Sequence, residues 1–510
     1  MLTKLRETIS VKDYGAVGDG STDDTAALQA AFSSGNSHVF LPRGTYYVTG
    51  NLVIPPQTCV YGLGQPLLSN PPSMGAIIMC QASLTGAAVT LGSTSAAVHL
   101  PACLENIAVV RQGGATSSIP AGTIGVQVVN SQAAYLNGVT SYGHDTGFYF
   151  RGNCPDGITG WMERCTTGRI QNTHLVIDSM PEVRVSNTRF GTNGVGDMVC
   201  QEFISVTGGS MNVAGGPNTL IFTNCQFNQG QNYAHSWMNF NNQMAGSLSD
   251  TGLLQFVNCY VETVLSGIVC DSTWTTIRRV QIANCELSDE GIQWFNLYPG
   301  TRLQDWAICN TIFYGNITIN ALFDHLLIDN VLVSDSFSLT SSDSSSTVML
   351  ANLSVRGSMN FAGPWADLIG SSIHGTFTNT ATGNVLLSDA AGITLTAPYG
   401  VDAESNYTIS YGPQGARIST VWQADGNLVV YNTAKSPVFS INATLGTVSI
   451  PSASVAKLPR GSTTPTGSMV YANNGCKPGE ASGSGTGVPV FWNASTQTWY
   501  SFCSGAAVTS

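Results

Sequence analysis

The chain has 510 residues and a formal net charge of −11, and only 10% of its residues are charged, against roughly 25% in an ordinary soluble domain. Its 19 Lys and Arg residues are too few for the basic footprint that nucleic acid or an anionic membrane surface requires. The 43% hydrophobic content allows a large core, and Ser, Thr, Asn, Gln and 55 Gly replace the missing surface charge, which suits stacked β-strands better than amphipathic helices.

The first informative stretch is Val11-Lys12-Asp13-Tyr14-Gly15-Ala16-Val17-Gly18-Asp19-Gly20, followed by Ser21-Thr22-Asp23-Asp24-Thr25 and Ala26-Ala27-Leu28-Gln29-Ala30-Ala31-Phe32. Gly15, Gly18 and Gly20 mark tight turns, and Thr22 or Asp23 is positioned to cap the Ala-rich helix that follows. No other segment carries a strong helix signal. Two strands split by a turn come next, Val39-Phe40-Leu41-Pro42-Arg43-Gly44-Thr45-Tyr46-Tyr47-Val48 and Leu52-Val53-Ile54-Pro55.

This opening closely resembles the start of the pectate-lyase-like right-handed parallel β-helix family found in bacteriophage tailspikes. The resemblance covers residues 10–60 directly, through Asp13-Tyr14-Gly15-Ala16-Val17-Gly18-Asp19-Gly20, Thr22-Asp23-Asp24-Thr25 and Phe40-Leu41-Pro42-Arg43-Gly44-Thr45-Tyr46. It implies an N-terminal cap, in which Asp19, Asp23 and Asp24 are structural.

Internal repetition points to the same all-β fold. Short β-rich segments recur around Asn224, Asn258, Asn284, Asn310, Asn330 and Asn352, with weaker members at Asn106 and Asn187; the six differ by 34, 26, 26, 20 and 22 residues. Such a period is a solenoid signature, each unit one coil. An Asn at a fixed place predicts a ladder at a coil corner, where its side chain bonds the next coil and its backbone tolerates the left-handed region.

The pattern changes after about residue 375. Alternating segments such as Gly392-Ile393-Thr394-Leu395-Thr396 occupy 383–450, and 459–490 is a Pro, Gly, Ser and Thr-rich stretch. Gln423-Ala424-Asp425-Gly426-Asn427-Leu428-Val429-Val430-Tyr431 fits the bulb-type mannose-lectin signature once, and also reads as a strand, turn and strand. The end, from Gly475-Cys476-Lys477-Pro478-Gly479-Glu480 to Val488-Pro489-Val490-Phe491-Trp492, resembles the C-terminal module of many phage tail proteins. The expected organisation is a cap at 1–60, a parallel β-helix bearing the glycan site at 61–378, a β-rich trimerisation region at 379–458 and a tail-protein module at 459–510.

The 13 cysteines are odd in number and irregularly spaced, so they read as reduced, small core hydrophobes. Cys476 and Cys503 are the pair to suspect if a disulfide exists. No His/Cys cluster has zinc spacing, and neither metal nor other cofactor is expected. Met1 leads into polar residues that do not form a signal peptide, and no apolar run reaches the roughly 18 residues of a membrane span.

Tailspikes of the resembled family often hydrolyse glycans with two carboxylates on neighbouring coils, one a proton donor and one a base or nucleophile. Aligning Asn258 with Asn284 places Glu262 beside Ser288, next to Asp289 and Glu290, and Tyr260 beside Glu286. Glu262, Asp289 and Glu290 are therefore the candidate catalytic residues, with crowding expected to keep one of them protonated near neutrality. Trp237, Tyr260, Trp274, Trp294, Tyr298 and Trp306 are candidates for stacking on sugar faces, and the insertion at 229–254, with Tyr233, His235, Trp237 and Asp250, for a wall. A second set is Asp145 after His144, Asp156, and Glu163 near Trp161. The expectation is a trimeric virion tailspike, made in a host cytoplasm, that binds and depolymerises capsule or O-antigen by glycosidic hydrolysis, with the phage tail or baseplate as its other partner and neither nucleic acid nor membrane insertion involved. The alternatives are a polysaccharide lyase, for which Arg278, Arg279 or Arg302 would neutralise a uronate, and a non-catalytic receptor-binding fibre.

Overall fold

The computed structural model describes residues 8–64, 74–93, 100–115, 118–152, 159–191, 198–207, 219–229, 233–240, 250–270, 272, 276–298, 300–341 and 347–362, and beyond these the strands and some adjoining turns up to residue 508. It divides into two compact units, 1–396 and 397–510.

The first unit is nearly all β. Its strands, from Thr8–Ser10 to Thr394–Leu395, pair in parallel, each with the equivalent strand one coil on. The ladder thus passes 378 and reaches Leu395, because Ser372–Ile373 still finds an in-register partner in Thr394–Leu395. Inward residues form one continuous apolar column from Val11 to Ile373, with stacked rings such as Phe190 on Phe227 and Phe222 on Phe256. Buried and outward residues alternate along these strands, as in Glu182–Ser186 and Thr219–Thr223.

The coil corners follow the asparagines. Asn106, Asn187, Asn224, Asn258, Asn284, Asn310, Asn330 and Asn352 all have φ between 49° and 55°. Asn224 Nδ2 donates to Asn187 Oδ1 (3.2 Å), Asn258 to Asn224 (3.1 Å) and Asn330 to Asn310 (2.8 Å), while Asn352 donates to Asp329 (3.0 Å). The N–H groups of Asn106, Asn187, Asn224, Asn258 and Asn284 also bond a carbonyl of the next coil, as Asn224 N does to Val257 O. Gly138 and Arg164, with φ of 64° and 51°, occupy the same corner on the two coils between Asn106 and Asn187. A Cβ on Gly138 would lie 2.6 Å from Asn106 Oδ1, so a side chain here requires the Asn106 amide to move aside.

The helix Thr25–Phe32 buries Leu28, Ala31 and Phe32 at the N-terminal end. Asp24 occupies the N-cap position without a side-chain cap bond; its carboxylate turns back to the N–H groups of Val17 and Gly18. Asp23 instead accepts from the Thr25 N–H and the Thr25 and Thr49 hydroxyls. Asp19 takes the Ser21 and Thr22 N–H groups, which hold its carboxyl well below the usual range. All three acids are spent on turns.

The cysteine expectation is met in the core and fails at one place. Cys80, Cys165, Cys225, Cys259 and Cys285 are buried free thiols, and Cys200 and Cys270 are buried as well. Cys59 and Cys103, 44 residues apart, are joined by a disulfide, since they lie directly opposite one another on neighbouring coils with Cα atoms 4.5 Å apart. Cys503 lies outside the described residues, and the suspected Cys476–Cys503 pair with it.

The second unit contains two small sheets. One is antiparallel, running from Tyr407–Tyr411 to Thr447–Ser449; the other includes Met469–Ala472, Val488–Asn493 and Thr498–Ser501 around Trp492 and Trp499. Within the first, Ile418–Trp422 pairs antiparallel with Leu428–Tyr431, either side of 423–427, which holds the rest of the lectin-like signature and lies outside the described residues. No helix among the described residues is long and apolar enough to cross a membrane.

Candidate active site

The predicted alignment of coils is the observed one: Tyr260 pairs with Glu286 and Val261 with Leu287. The strand Glu286–Leu297 stays in step with its neighbour through Ser288 and resumes at Gln293, opposite Asn316. The extra residues between form a bulge, a device that re-aims side chains, and Asp289 stands at its start. Gly315 lies against this bulge; a Cβ there would come within 2.9 Å of the Asp289 and Ile292 carbonyls.

Glu262 follows the short strand Tyr260–Val261 at the same corner. Its Oε2 accepts from the Tyr260 hydroxyl at 2.9 Å and from Asn228 Nδ2 at 2.5 Å, so donors from its own and the preceding coil fix the carboxylate. Burial and the bond to Glu262 raise the Tyr260 hydroxyl to about 12, which keeps it a donor. Asp289 Oδ2 accepts the Val264 N–H at 2.7 Å. Burial pushes the Asp289 carboxyl up to about 6 and the Glu262 charge adds to the rise, while the N–H groups of Val264 and Thr263 hold it back. Crowding of acids, the expected cause, is thus secondary to desolvation.

Thr263 links the two acids. Its φ is 64°, a strained conformation for a β-branched residue. The Thr263 hydroxyl donates to the Glu262 carbonyl and accepts the Gln229 N–H at 2.8 Å. Gln229 in turn bonds the fully buried His174, which burial holds neutral, with its pKa down at about 3. Asn228 and Thr263 were not among the residues singled out from sequence. The offset of 34 between Asn224 and Asn258 would have found Asn228, since it carries 228 onto 262; nothing in the sequence announces the backbone of Thr263.

The aromatic expectations need correction. Trp237, Trp294 and Trp306 are 1%, 1% and 2% exposed, packed inside the coil against Phe256, Phe313 and Phe295, where no sugar face reaches them. Tyr298 is exposed but lies just beyond the far end of the strand Glu286–Leu297, away from Asp289. Trp274 falls outside the described residues, as do the side chains of Glu290 and Asp250. Tyr233 and Leu265 are the exposed apolar groups flanking the acid corner, where Ala234 bridges Val264.

Of the second acidic set, Asp145 and Glu163 stand apart, each with its own partner. Asp145 is buried and accepts the Gly122 N–H, Glu163 accepts the Tyr135 hydroxyl on another face, and Asp156 lies outside the described residues. Trp161 is exposed two residues before Glu163. Arg302 is ion-paired with Asp324, and Arg278 and Arg279 are exposed.

The raised Asp289 carboxyl makes a stability prediction that is independent of substrate. The folded state binds more protons than the unfolded state between about pH 3.8 and 6, so Asp289 costs stability as pH rises through that window. Asp289→Asn removes the ionisation and keeps an acceptor for Val264. The variant should therefore unfold at a higher temperature than the parent above pH 6, with the gain disappearing below about pH 4. An equal difference at both pH values would show that Asp289 titrates normally.

A parallel β-helix with two carboxylates at one coil corner defines a class of scaffold, and sequence comparison supplies the family. The chain belongs to the family described as rhamnogalacturonase A/epimerase, pectate lyase-like, which matches residues 8–293. Shorter matches include the pre-neck appendage protein of Bacillus phage B103, 46% identical over 56 residues, or 11% of this chain and 6% of that one. Mannuronan C5-epimerase AlgE5 of Azotobacter vinelandii is 53% identical over 45 residues, 8% of this chain and 4% of the relative. The chain thus spans a small fraction of the length of these curated relatives. Among solved structures, tailspike protein 3 of bacteriophage CBA120 is similar at 12% identity and a TM-score of 0.41, over 99% of this chain and 70% of that one. The tailspike gp49 of Acinetobacter baumannii bacteriophage Fri1, a capsular polysaccharide depolymerase, is similar at 14% identity and 0.34, over 81% and 69%.

Proposed function

We propose that the chain is a phage tailspike that binds a bacterial surface polysaccharide and cleaves it by glycosidic hydrolysis at the Glu262–Asp289 corner. The observation that carries the reading is the pairing of a carboxyl raised to about 6 with a second carboxylate held by two donors in the same corner. Such a pair matches the division of labour that glycoside hydrolysis needs. Protonated Asp289 donates to the glycosidic oxygen as the C–O bond breaks. The Glu262 carboxylate either takes a proton from the water that attacks the anomeric carbon, or attacks that carbon itself to form a glycosyl ester that water, deprotonated by Asp289, then breaks; in both cases the water's hydroxyl ends on the new reducing end. Tyr260 and Asn228 hold Glu262 for this role, and exposed Tyr233 and Leu265 offer apolar surface to a sugar face.

The low surface charge and the many separate strands of the second unit support assembly as a homotrimer in the virion, with the tail or baseplate as the other partner. Spotting the purified chain on lawns of capsulated strains, and weighing it by native mass spectrometry, tests the reading. A halo, new reducing ends without an ultraviolet-absorbing unsaturated sugar, and a trimer mass are expected. Unsaturated products would make it a lyase, and binding with neither product a receptor-binding fibre.

A further inference from the structure

We propose that His38, Cys59, Cys103 and Glu105 form a zinc site on the outer face of the first coils, filled when the two cysteines are reduced. The register lines these residues up across three consecutive coils. His38 pairs with Cys59 and Cys59 with Cys103, while Glu105 stands two residues along the same strand as Cys103. Val39, Val60 and Leu104 alternate with them and are buried, so strand alternation turns all four outward.

Three of the four side chains already converge, and the fourth, His38, stands on the preceding coil in register with Cys59. Ligand atoms of Cys59, Cys103 and Glu105 all lie within 4.8 Å of one another, with Cys59 Sγ 3.6 Å from Glu105 Oε1. His38 Nδ1 faces Ser37 Oγ at 3.0 Å, so its ring must turn about its side-chain torsions to bring a nitrogen to the fourth position. Two thiolates, an imidazole and a carboxylate are zinc's ordinary protein ligands, and four of them suit its tetrahedral preference. The acids of the nearby cap, Asp19, Asp23 and Asp24, are engaged in turns and do not compete.

In the structure the two sulfurs are bonded to each other. Opening that bond takes two electrons and two protons from a dithiol such as dithiothreitol, which is itself oxidised to its cyclic disulfide. Zinc then displaces the two thiol protons as it binds. The disulfide clasps two coils, whereas the metal clasps three, because His38 belongs to the coil before Cys59. Sequence inspection misses the site because residues 38, 59, 103 and 105 have no fixed spacing; only the register of the coils brings them together.

The test uses the full chain, reduced with dithiothreitol, desalted without oxygen and titrated with zinc or cobalt alone. One metal per chain is expected beyond what a C59S/C103S variant retains, together with the thiolate-to-cobalt charge-transfer band of a tetrahedral site; the oxidised chain should take up none at this position. Equal metal content in the reduced parent and the C59S/C103S variant overturns the proposal. Should that variant fail to fold, H38A and E105Q keep both thiols and decide the matter. Each should bind zinc at least about tenfold more weakly, by analogy with the loss that follows removal of outer-shell partners, and parent-like affinity in both would leave a bare thiol pair rather than the four-residue site.

Discussion

Glu262→Gln is expected to lower polysaccharide turnover at least about a hundredfold, the typical scale of lost general acid–base help, while glycan binding survives. The substitution keeps the size of the side chain and its bonds to Tyr260 and Asn228 but cannot carry the charge that stabilises an oxocarbenium-like transition state. The polysaccharide of a strain on which the chain forms a halo is the substrate to use. Asp289→Asn should fall comparably, and comparing it with Glu290→Gln identifies the partner, with the larger loss expected at Asp289. Parent-rate depolymerisation by all three variants would remove this corner from consideration. The pH profile gives a second check: activity that requires protonated Asp289 should decline as pH rises past about 6, and binding of the glycan would shift that limb upward by excluding more water.

Phe256→Ala should cost about 3–5 kcal/mol, the range for a large aromatic deleted from a core. Phe256 is fully buried, stacks on Phe222 with centroids 4.9 Å apart and lies 4.3 Å from the Trp237 ring. Its removal therefore opens a hole between consecutive coils that parallel pairing on both sides prevents from closing. Denaturant midpoints of parent and variant measure the effect, or inactivation half-lives if unfolding is irreversible. A loss under about 1 kcal/mol would mean that the coils collapse around the hole more readily than a close-packed core allows. Trp161→Ala, on an exposed ring, is the matched control and should change stability little.

The architecture was legible because its periodic elements are chemically distinctive. Asparagine at a left-handed corner is favoured by its side chain, and six such residues with short intervals were enough to set the coils in register. The same offset put Glu262 next to Asp289. The tryptophans were misread because residue type does not say which way a side chain points once strands depart from strict alternation: Trp294 and Phe295 are adjacent and both buried, directly after the bulge at Asp289. The coil bearing Cys59 precedes the coil of Cys103 and of the first corner asparagine, Asn106, so no repeat was there to show that those two sulfurs meet. Gly138 and Arg164 hid the corner on two further coils, since each reaches the left-handed region without being Asn.

The uniform corner has a mechanical corollary. Ten successive corners, from Asn106 to Asn352, share one backbone conformation, so each coil advances the molecule by the same increment, about 4.8 Å, and the stack from the first to the last measures roughly 43 Å. Length is therefore adjustable in whole rungs. Excising the 20 residues that separate Asn310 from Asn330 would join one corner to an identical corner and lower everything beyond by a single rung, preserving the inward and outward sense of every strand. Length in such a molecule behaves like the graduations of a ruler, and the distance between its two ends can be retuned without redesigning either.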